Sequence, residues 1–591
     1  SGSGLRAVLP DDQIAAGNPA HRCRQNAMCG FLGYFGCGAE NRPDAECRRQ
    51  ALDRIRHRGP DDEHQASGEG WWMGFRRLAI LDLSMQSHQP FEDADGRYAL
   101  VFNGEIYNYI ELREELVQKG HRFRSTGDAE VLLNSFKEWG PDCLQRFNGM
   151  WAFVIYDRKN RSFFGSRDRF GVKPLFVHDQ GDRHVFASEI KAILALDGVD
   201  SRFNWRITSQ YLLAGRLSEP DERSETMFDG ICEVEAGHAF EVNAEGTFRT
   251  WKYWSLPPVN PHSDIDLVEE FARLFEDSVR LRLRSDVPVG VCLSGGLDST
   301  AVICHMAKVL GPDRSEPLHA FSYIDEQFDE TEQVMATVEE TGAELHRLTS
   351  SKASFLDSLE QVIDIHDEPL HSLNVLVSFQ LYRMAAERGI KVILNGQGAD
   401  ETWAGYPSYF HNYWYALVQS GKFGRARREI QGFAADHGID SGTLWQRTVK
   451  TVFRNQLRRV APYRKLAAER ARRTYAGDDW FTKDFLNGYE QEVPEFQSLD
   501  LDTELRKSVV REPLPLYLRI EDRNSMANSI ETRLPFMDYR LVSLAFQSSD
   551  NWKLKGGLNK FALREAMRGV MPEVVRSRID KMGFPVSAKT W

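Results

Sequence analysis

The stretch Val287–Thr300 reads VPVGVCLSGGLDST and joins an apolar run to the start of a helix. Its first half is rich in β-branched residues, and its second half is a glycine- and serine-containing loop followed by the apolar run 301–304. This order predicts a buried strand, a tight turn and a helix N-terminus. Gly295 and Gly296 would let backbone N–H groups approach a ligand closely, and the helix dipole favours an anion at that point.

The side chains of this loop predict phosphate and metal binding. Asp298 offers a carboxylate of the kind that Mg²⁺ prefers, and the serines offer hydroxyl donors. The lysine of a Walker A motif is missing, which excludes that type of phosphate loop. A glycine–serine turn alone is also typical of an ordinary helix cap. The full segment resembles the pyrophosphate loop of the ATP pyrophosphatases, which adenylate a carboxylate or carbonyl, and this implies ATP binding by Leu293, Ser294, Gly295, Gly296, Asp298 and Ser299.

The composition indicates a multidomain enzyme of a reducing compartment. The 591 residues are enough for several domains, and 42% of them are hydrophobic. A net charge of −12 argues against a general nucleic-acid binder, and the eight cysteines show no disulfide spacing. No apolar run reaches the ~20 residues of a membrane span. We therefore expect a cytoplasmic protein without nucleic-acid or membrane partners.

Residues 1–28 differ from the rest of the chain. Ser1–Gly4 resembles a cloning scar, and residues 5–27 lack a secretory pattern, so we predict a leader or tag outside the fold. Met28-Cys29 resembles a natural start. Cys29 is either a buried structural thiol or, once Met28 is removed, an N-terminal nucleophile whose α-amino group serves as its base. Retention of residues 1–28 would then leave little or no glutaminase activity.

Four downstream segments favour the second interpretation of Cys29. Each alone has an ordinary explanation as a surface arginine, a hairpin turn, a helix cap or a charged loop. Their order after a Met-Cys start is more specific. They are the strand-like run around Arg77, the segment Asn103-Gly104-Glu105 expected to end a strand at Phe102, the segment 125–130 with Asp128 near a helix cap, and the polar turn 167–175.

Together these segments resemble a class II glutamine amidotransferase, an N-terminal-nucleophile (Ntn) glutaminase. The resemblance implies an α+β domain of stacked antiparallel sheets flanked by helices. It also implies that Cys29 attacks glutamine, that Asn103 and Gly104 form the oxyanion hole, and that Arg77 pairs with the α-carboxylate. Glutamine binding is further assigned to Glu105, Asp128 and Asn103.

The predicted domains are residues 29–210 for the glutaminase, 211–262 for a connecting segment and 263–591 for an α/β synthetase domain. Strand and helix alternate beyond residue 263, which predicts a parallel sheet with helices on its faces. Predicted strands cover 318–323, 344–348 and 391–394. Predicted helices cover 264–283, 331–341, 355–366 and 376–388.

A second loop, Asn395–Glu401, follows the predicted strand 391–394. It has an ordinary explanation as a capped strand-to-helix turn. Beside the first loop, it predicts that Asp298 and Asp400 hold Mg²⁺ between them. The chain from Cys29 onward is similar to the glutamine-hydrolysing asparagine synthetases, which implies ATP binding by Asn395, Gly396, Gln397 and, at a strand end, Ser322. Some synthetases have glutamate at the position of Gln397, so the acceptor stays open.

Further segments match the same family near the C-terminus. Lys581, in Asp580–Pro585, matches a family lysine that stabilises charge on the phosphate side. The basic residues within 415–515 are typical of a solvated helix face, and an anion-binding surface is the alternative. The chain stops at Trp591, and related chains commonly continue.

The resemblance implies an ATP-dependent, glutamine-hydrolysing amidotransferase with ATP and Mg²⁺. Aspartate is the default acceptor, giving asparagine, AMP and pyrophosphate, and a homodimer is a family expectation. The alternative is another carboxylate, such as a sugar uronate or a natural-product intermediate. Intramolecular amide formation, as in β-lactam synthetases, is disfavoured because those relatives lose the nucleophilic cysteine. A non-catalytic scaffold is disfavoured because the site residues are all retained.

Overall fold

Two antiparallel sheets stack against each other in the N-terminal part of the chain. The computed structural model describes residues 29–36, 43–181, 183–214, 224–260, 266–314, 316–324, 329–348, 357–458 and 500–580. One sheet has the strand order β10-β11-β8-β9-β1-β3-β2, and the other has β13-β12-β7-β6-β5-β4. Their strands are β1 Gly30–Phe35, β2 Asp62–Gly68, β3 Trp71–Arg77, β4 Phe91–Glu92, β5 Tyr98–Ile106, β6 Gly149–Asp157, β7 Ser162–Arg167, β8 Phe176–Asp179, β9 His184–Ala187, β10 Ser224–Glu225, β11 Ile231–Glu233, β12 His238–Val242 and β13 Phe248–Lys252.

Alternation along β1 explains the layers. Phe31 and Phe35 face the second sheet, where they join a core with Val101 and Val154. Leu32 faces the other way, into a core formed with the helices Ala45–Asp53 and Ile190–Leu194. Successive strand residues point to opposite faces, so one strand contributes to two hydrophobic layers. The predicted α+β architecture of stacked antiparallel sheets is confirmed.

The strands β10–β13 all lie within the predicted connecting segment 211–262. They are nevertheless ordinary members of the two antiparallel sheets, since β11 pairs with β8 and β12 pairs with β7. The sheets therefore extend well beyond residue 210.

A parallel sheet forms the C-terminal part, in the order β16-β15-β14-β17-β18. All of its pairings are parallel, as predicted. Helices connect the strands, as this topology requires. The strands are β14 Val289–Cys292, β15 His319–Tyr323, β16 Glu344–Leu348, β17 Val392–Leu394 and β18 Glu531–Arg533.

The helices of the described residues follow the predicted amphipathic patterns closely where a prediction was made. Their bounds are Ala45–Asp53, Tyr109–Gln118, Asp128–Trp139, Cys143–Arg146, Ile190–Leu194, Trp205–Ala214, Leu267–Arg282, Leu297–Leu310, Thr331–Thr341, Leu359–His366, Asn374–Glu387, Ala399–Trp403, Ser408–Gln419, Phe423–His437, Ser441–Arg458, Leu501–Val510, Leu514–Ala527, Tyr539–Gln547, Phe561–Ala566 and Glu573–Arg576. Within the described part of the chain, none is both long and apolar enough to cross a membrane.

One local prediction was wrong. The segment Asn103-Gly104-Glu105 does not end its strand, because β5 continues to Ile106 and stays paired with β6 throughout. Gly104 has a φ of +149°, and a Cβ there would lie 2.1 Å from the Met150 carbonyl oxygen. Glycine thus lets the backbone pass close to the neighbouring strand without leaving the sheet.

The helix Leu514–Ala527 joins the two parts through buried ion pairs. Asp522 accepts two hydrogen bonds from Arg58, at 2.9 and 3.2 Å, and both side chains are almost fully buried. Arg58 also pairs with Glu189 at 2.8 Å. Paired buried charges of this kind fix the relative position of elements because either partner alone would be costly.

Candidate active sites

A small cavity gathers residues from the ends of several elements in the N-terminal part. The cavity has a volume of about 40 Å³. It lies where β1, β3 and β5 meet the start of the helix Asp128–Trp139. Every residue predicted for glutamine hydrolysis and binding in this part lines it, namely Cys29, Arg77, Asn103, Gly104, Glu105 and Asp128.

The thiol of Cys29 is held in its neutral form. Burial raises the pKa of Cys29 to about 12, although a contact with the Leu78 carbonyl oxygen and the charge of Arg77 act in the opposite direction. The Sγ atom donates to that carbonyl over 3.7 Å. A thiol in this state is a poor nucleophile until a base removes its proton.

The side chain of Asn103 is the most unusual group in the cavity. It is fully buried, and neither its Oδ1 nor its Nδ2 has a hydrogen-bond partner. Buried amides are rarely left unpartnered, because burial without a hydrogen bond costs about 1–3 kcal/mol. An unpartnered donor that lines a cavity is available to a bound molecule.

Hydrogen bonds to backbone groups hold Arg77 and Asp128 in this cavity. Arg77 donates to the backbone carbonyls of Ser84 at 3.0 Å and Asp82 at 2.5 Å. Asp128 Oδ2 accepts from the Ile106 N–H at 2.8 Å, and burial raises the pKa of Asp128 to about 7. Burial likewise raises the pKa of Glu105 well above its usual range.

Glu531 of the parallel sheet also reaches this cavity and Arg533 contacts its lining, and neither was predicted as a site residue. Glu531 of β18 lines the cavity, and Arg533 of the same strand bonds Glu531 at 2.6 Å and pairs with Glu105 at 3.1 Å. The available signal was two charges, two residues apart, between Ile530 and Leu534. Charged residues on a buried strand need partners, and here the partner belongs to the other sheet system.

A larger cleft of about 510 Å³ lies at the carboxyl ends of the parallel strands. This is where ligands bind in open α/β sheets. The predicted residues that line it are Ser294, Gly296, Asp298, Ser299, Asn395, Gly396, Gln397 and Asp400. Leu293 and Ser322 are fully buried and do not reach its surface, so the predicted contact of Ser322 with adenosine stays a prediction.

The first loop of this cleft is closed by its own serines. Ser294 N–H donates to Ser299 Oγ at 3.2 Å, and the two hydroxyl oxygens lie 3.1 Å apart. Gly295 has a φ of +75°, and a Cβ there would crowd Glu330 Cβ at 3.2 Å. The loop therefore turns sharply into the helix Leu297–Leu310, whose first N–H groups have no intrahelical partner.

Lys560 lies between the two carboxylates that were predicted to hold Mg²⁺. Its Nζ is 2.5 Å from Asp298 and 2.6 Å from Asp400. Burial lowers the pKa of Lys560 despite the attraction of Asp298. Gly405 makes this approach possible, because a Cβ there would lie 1.7 Å from Asp400 Oδ1. The two carboxylates thus converge on one positive charge.

Other groups of the cleft were not predicted. Asn395 Nδ2 donates to Glu521 Oε1 at 2.6 Å, and the same carboxylate accepts from the Tyr382 hydroxyl. Arg564 and Arg578 add positive charge to the lining. Lys560 itself carried a weak signal, as a lysine in Asn559-Lys560 ahead of a helix. The predicted residue Lys581 lies outside the described residues.

The two cavities share one strand. The Asn395 N–H, at the larger cleft, donates to the Arg533 carbonyl at 3.0 Å, and the Arg533 side chain pairs with Glu105 in the smaller cavity. The pairing of β17 with β18 sets this register. The two sites are therefore neighbours across β18.

Comparison with known proteins identifies both parts. A glutamine amidotransferase domain model matches residues 28–254, and an asparagine synthase model matches residues 270–591. Asparagine synthetase [glutamine-hydrolyzing] 1 of Bacillus subtilis is 32% identical and aligns over 95% of this chain and 88% of that protein. A putative asparagine synthetase [glutamine-hydrolyzing] of Mycobacterium bovis gives the same identity and coverage.

The similarity extends to a protein with another name. The amidase chry2 of Gibberella zeae is 26% identical and aligns over 92% of this chain and 85% of that protein. The family thus includes members whose names do not state asparagine synthesis. The chain belongs to the glutamine-hydrolysing asparagine synthetase family of glutamine-dependent carbon–nitrogen ligases, and ATP is a substrate in that family.

Proposed function

We propose that this chain adenylates the side-chain carboxylate of aspartate and converts it to asparagine, with ammonia taken from glutamine. AMP and pyrophosphate would be the other products. The observation that carries the proposal is the pair of cavities that meet across β18, one containing Cys29 and the other Lys560. The assignment of aspartate rests on family similarity alone.

The smaller cavity is proposed to hydrolyse glutamine. Cys29 Sγ attacks the amide carbon, its proton passes to the α-amine of a freed N-terminus, and a thioester forms as ammonia leaves. Asn103 Nδ2 and the Gly104 N–H stabilise the oxyanion. The unpartnered Asn103 amide supports this role, since a donor without a resident partner can be satisfied by the reacting oxygen. Water then releases glutamate.

The charges in this cavity suit the two ends of glutamine. Arg77 offers a guanidinium to the α-carboxylate, held by backbone carbonyls that leave its charge uncompensated. Asp128 and Glu105 are proposed to receive the α-ammonium. A bound cation would favour their ionised forms, which burial otherwise opposes.

The larger cleft is proposed to bind ATP and the acceptor. The acceptor carboxylate attacks the α-phosphorus, pyrophosphate leaves, and the acyl-adenylate then loses AMP to ammonia. The loop Ser294–Ser299, with Asn395, Gly396 and Gln397, is proposed to bind ATP, and its helix N-terminus suits the departing pyrophosphate. Lys581 is proposed to assist on the phosphate side.

Asp298 and Asp400 fit a hard cation, because both aim a carboxylate at one point. When bound, Mg²⁺ would neutralise charge on the pyrophosphate. Lys560 holds the two carboxylates together and is proposed to swing toward phosphate when ATP binds. Burial disfavours the charged form of Lys560 and lowers its pKa, whereas the carboxylate of Asp298 favours the charged form.

Ammonia must cross from one cavity to the other without becoming ammonium. Arg533 of β18 contacts Glu105 of the smaller cavity and Asn395 of the larger cleft, so the proposed route for ammonia passes β18.

The proposed domains remain a glutaminase over residues 29–210, a connecting segment over 211–262 and a synthetase domain over 263–591. A homodimer and a cytoplasmic location also remain proposals, which rest on family similarity and composition.

The test is pyrophosphate release with ATP, Mg²⁺ and aspartate, run with glutamine and separately with ammonium. Asparagine formed from both nitrogen sources supports the proposal. No aspartate-dependent release from either source would reject aspartate, and uronates and natural-product carboxylates would be tested next. That second candidate class is favoured by the similarity to a protein named as an amidase rather than as an asparagine synthetase.

A further inference from the structure

Three side chains with metal-ligand chemistry meet on the outer rim of the glutaminase cavity. Asp62 and His64 stand two residues apart on β2 and so project from the same face of the strand. His88 reaches them from the segment that follows β3. One ligand atom from each residue lies within 4.8 Å of the other two.

One of the distances between the ligand atoms is that expected for a tetrahedral metal. His64 Nε2 is 3.3 Å from Asp62 Oδ2, and His88 Nδ1 is in contact with the same oxygen. Two ligands at the ~2.0–2.1 Å bond lengths of Zn²⁺ stand about 3.3 Å apart at the tetrahedral angle. The His64 and His88 rings have centroids 4.2 Å apart and are nearly perpendicular.

The ligand atoms are not committed to other partners of good geometry. Asp62 Oδ1 accepts from the Glu63 N–H at 2.9 Å, which leaves Oδ2 facing the histidines. Asp62 Oδ2 and His88 Nδ1 are both buried, and each contacts the other.

We propose that Asp62, His64 and His88 form a binding site for a divalent transition metal of the Zn²⁺ class. Two imidazoles and one carboxylate are a donor set that selects such metals over Mg²⁺. His64 is 45% exposed, so the metal exchanges with solution and a water completes its coordination. Arg77 lies opposite Asp62 in the pairing of β2 with β3 and so brings a positive charge near the proposed site.

The site lies beside the groups that would bind glutamine. Ser87 and Gln89, on either side of His88, line the glutaminase cavity. Asp82 and Ser84, a few residues earlier, hold Arg77 through their carbonyls. A metal that ties His88 to β2 would therefore fix this segment, and we expect it to lower the KM for glutamine.

A second cluster of the described residues, His319, Glu344 and His346, provides a matched control. There the ring nitrogens are already satisfied, because Arg388 Nε donates to His346 Nδ1 at 2.9 Å and His346 Nε2 lies 3.0 Å from His319 Nδ1. The guanidinium also repels a cation. We expect no metal at this second cluster.

The experiment titrates Co²⁺ alone into the full chain, prepared without a histidine tag, and follows the visible absorption of the bound ion, with Zn²⁺ as competitor. Wild type should show intense tetrahedral bands that Zn²⁺ abolishes. His64→Ala and His88→Ala should each weaken binding by at least about tenfold, as expected when a ligand is lost. His346→Ala should bind like wild type.

Equal Co²⁺ binding by wild type and His64→Ala, loss of binding in His346→Ala, or no binding by wild type would each overturn the proposal. The KM for glutamine of the form that begins at Cys29, measured with and without Zn²⁺, tests the effect on the segment and rests on the proposed function. The absorption readout does not, so a failure of the metal site and a failure of the glutaminase assignment can be distinguished.

Discussion

Replacement of Asn103 by leucine should raise stability and strongly slow glutamine hydrolysis at the same time. The side chain is fully buried and has no hydrogen-bond partner. Leucine has a similar size but no polar atoms, so the substitution removes a desolvated amide that the folded protein does not satisfy. The two effects have opposite signs, which a merely structural role for Asn103 would not produce.

The magnitudes follow from the environment of the amide. An unsatisfied buried polar group costs about 1–3 kcal/mol, so we expect the free energy of unfolding to rise by about 1 kcal/mol. In a unit of 150–250 residues that corresponds to an increase in Tm of about 2–4 °C. Loss of one oxyanion donor typically costs about 10²–10³ in kcat, and we expect that loss for glutamine hydrolysis.

The assay compares thermal unfolding, glutaminase kcat and ammonium-dependent pyrophosphate release in wild type and Asn103→Leu, both prepared to begin at Cys29. Asn148→Leu is the matched control, because Asn148 is also buried but donates to Asp538 Oδ2 at 2.9 Å. That variant should lower Tm. A lower Tm for Asn103→Leu together with an intact glutaminase would refute the role of the amide as an oxyanion donor.

Four further outcomes are expected. A form that begins at Cys29 should hydrolyse glutamine, and the form with residues 1–28 should not, because the thiol pKa is near 12 without an adjacent amine. Intact mass identifies the two forms and ammonia release measures their activity. Equal turnover by both forms would contradict the prediction. Lys560→Met should abolish pyrophosphate release with either nitrogen source while glutaminase persists; unchanged release would reject its role. The free energy of unfolding should fall as pH rises from about 4 to about 7. Asp128 ionises near pH 4 in the unfolded chain and near pH 7 in the folded protein, so the folded protein binds its proton more tightly over this range. Denaturant titrations of Asp128→Asn should show a smaller dependence on pH. Asp522→Asn should destabilise the protein by about 3 kcal/mol, since it leaves Arg58 with one carboxylate fewer in a buried site. An unchanged Tm would contradict this and show that Glu189 alone neutralises Arg58.

Much of the fold could be predicted from the sequence because its signals are local. The helix Thr331–Thr341 and the strand Glu344–Leu348 have the predicted bounds, since side-chain periodicity reports directly on which face is buried. The end of β5 was predicted wrongly because Gly104 is ambiguous. A glycine can end a strand or allow two strands to approach closely, and only the packing against Met150 decides between them.

The sequence by itself determined which residues are candidates for the two proposed reaction centres, because their loops are short, contiguous and chemically distinctive. It supplied Cys29, the loop Ser294–Ser299 and the carboxylates Asp298 and Asp400. The tertiary structure decided how they are completed. Lys560 pairs with two carboxylates from separate loops, and Arg533 of the parallel sheet pairs with Glu105 of the glutaminase cavity. Such contacts join residues hundreds of positions apart, so they depend on strand register and helix packing, which no local pattern encodes.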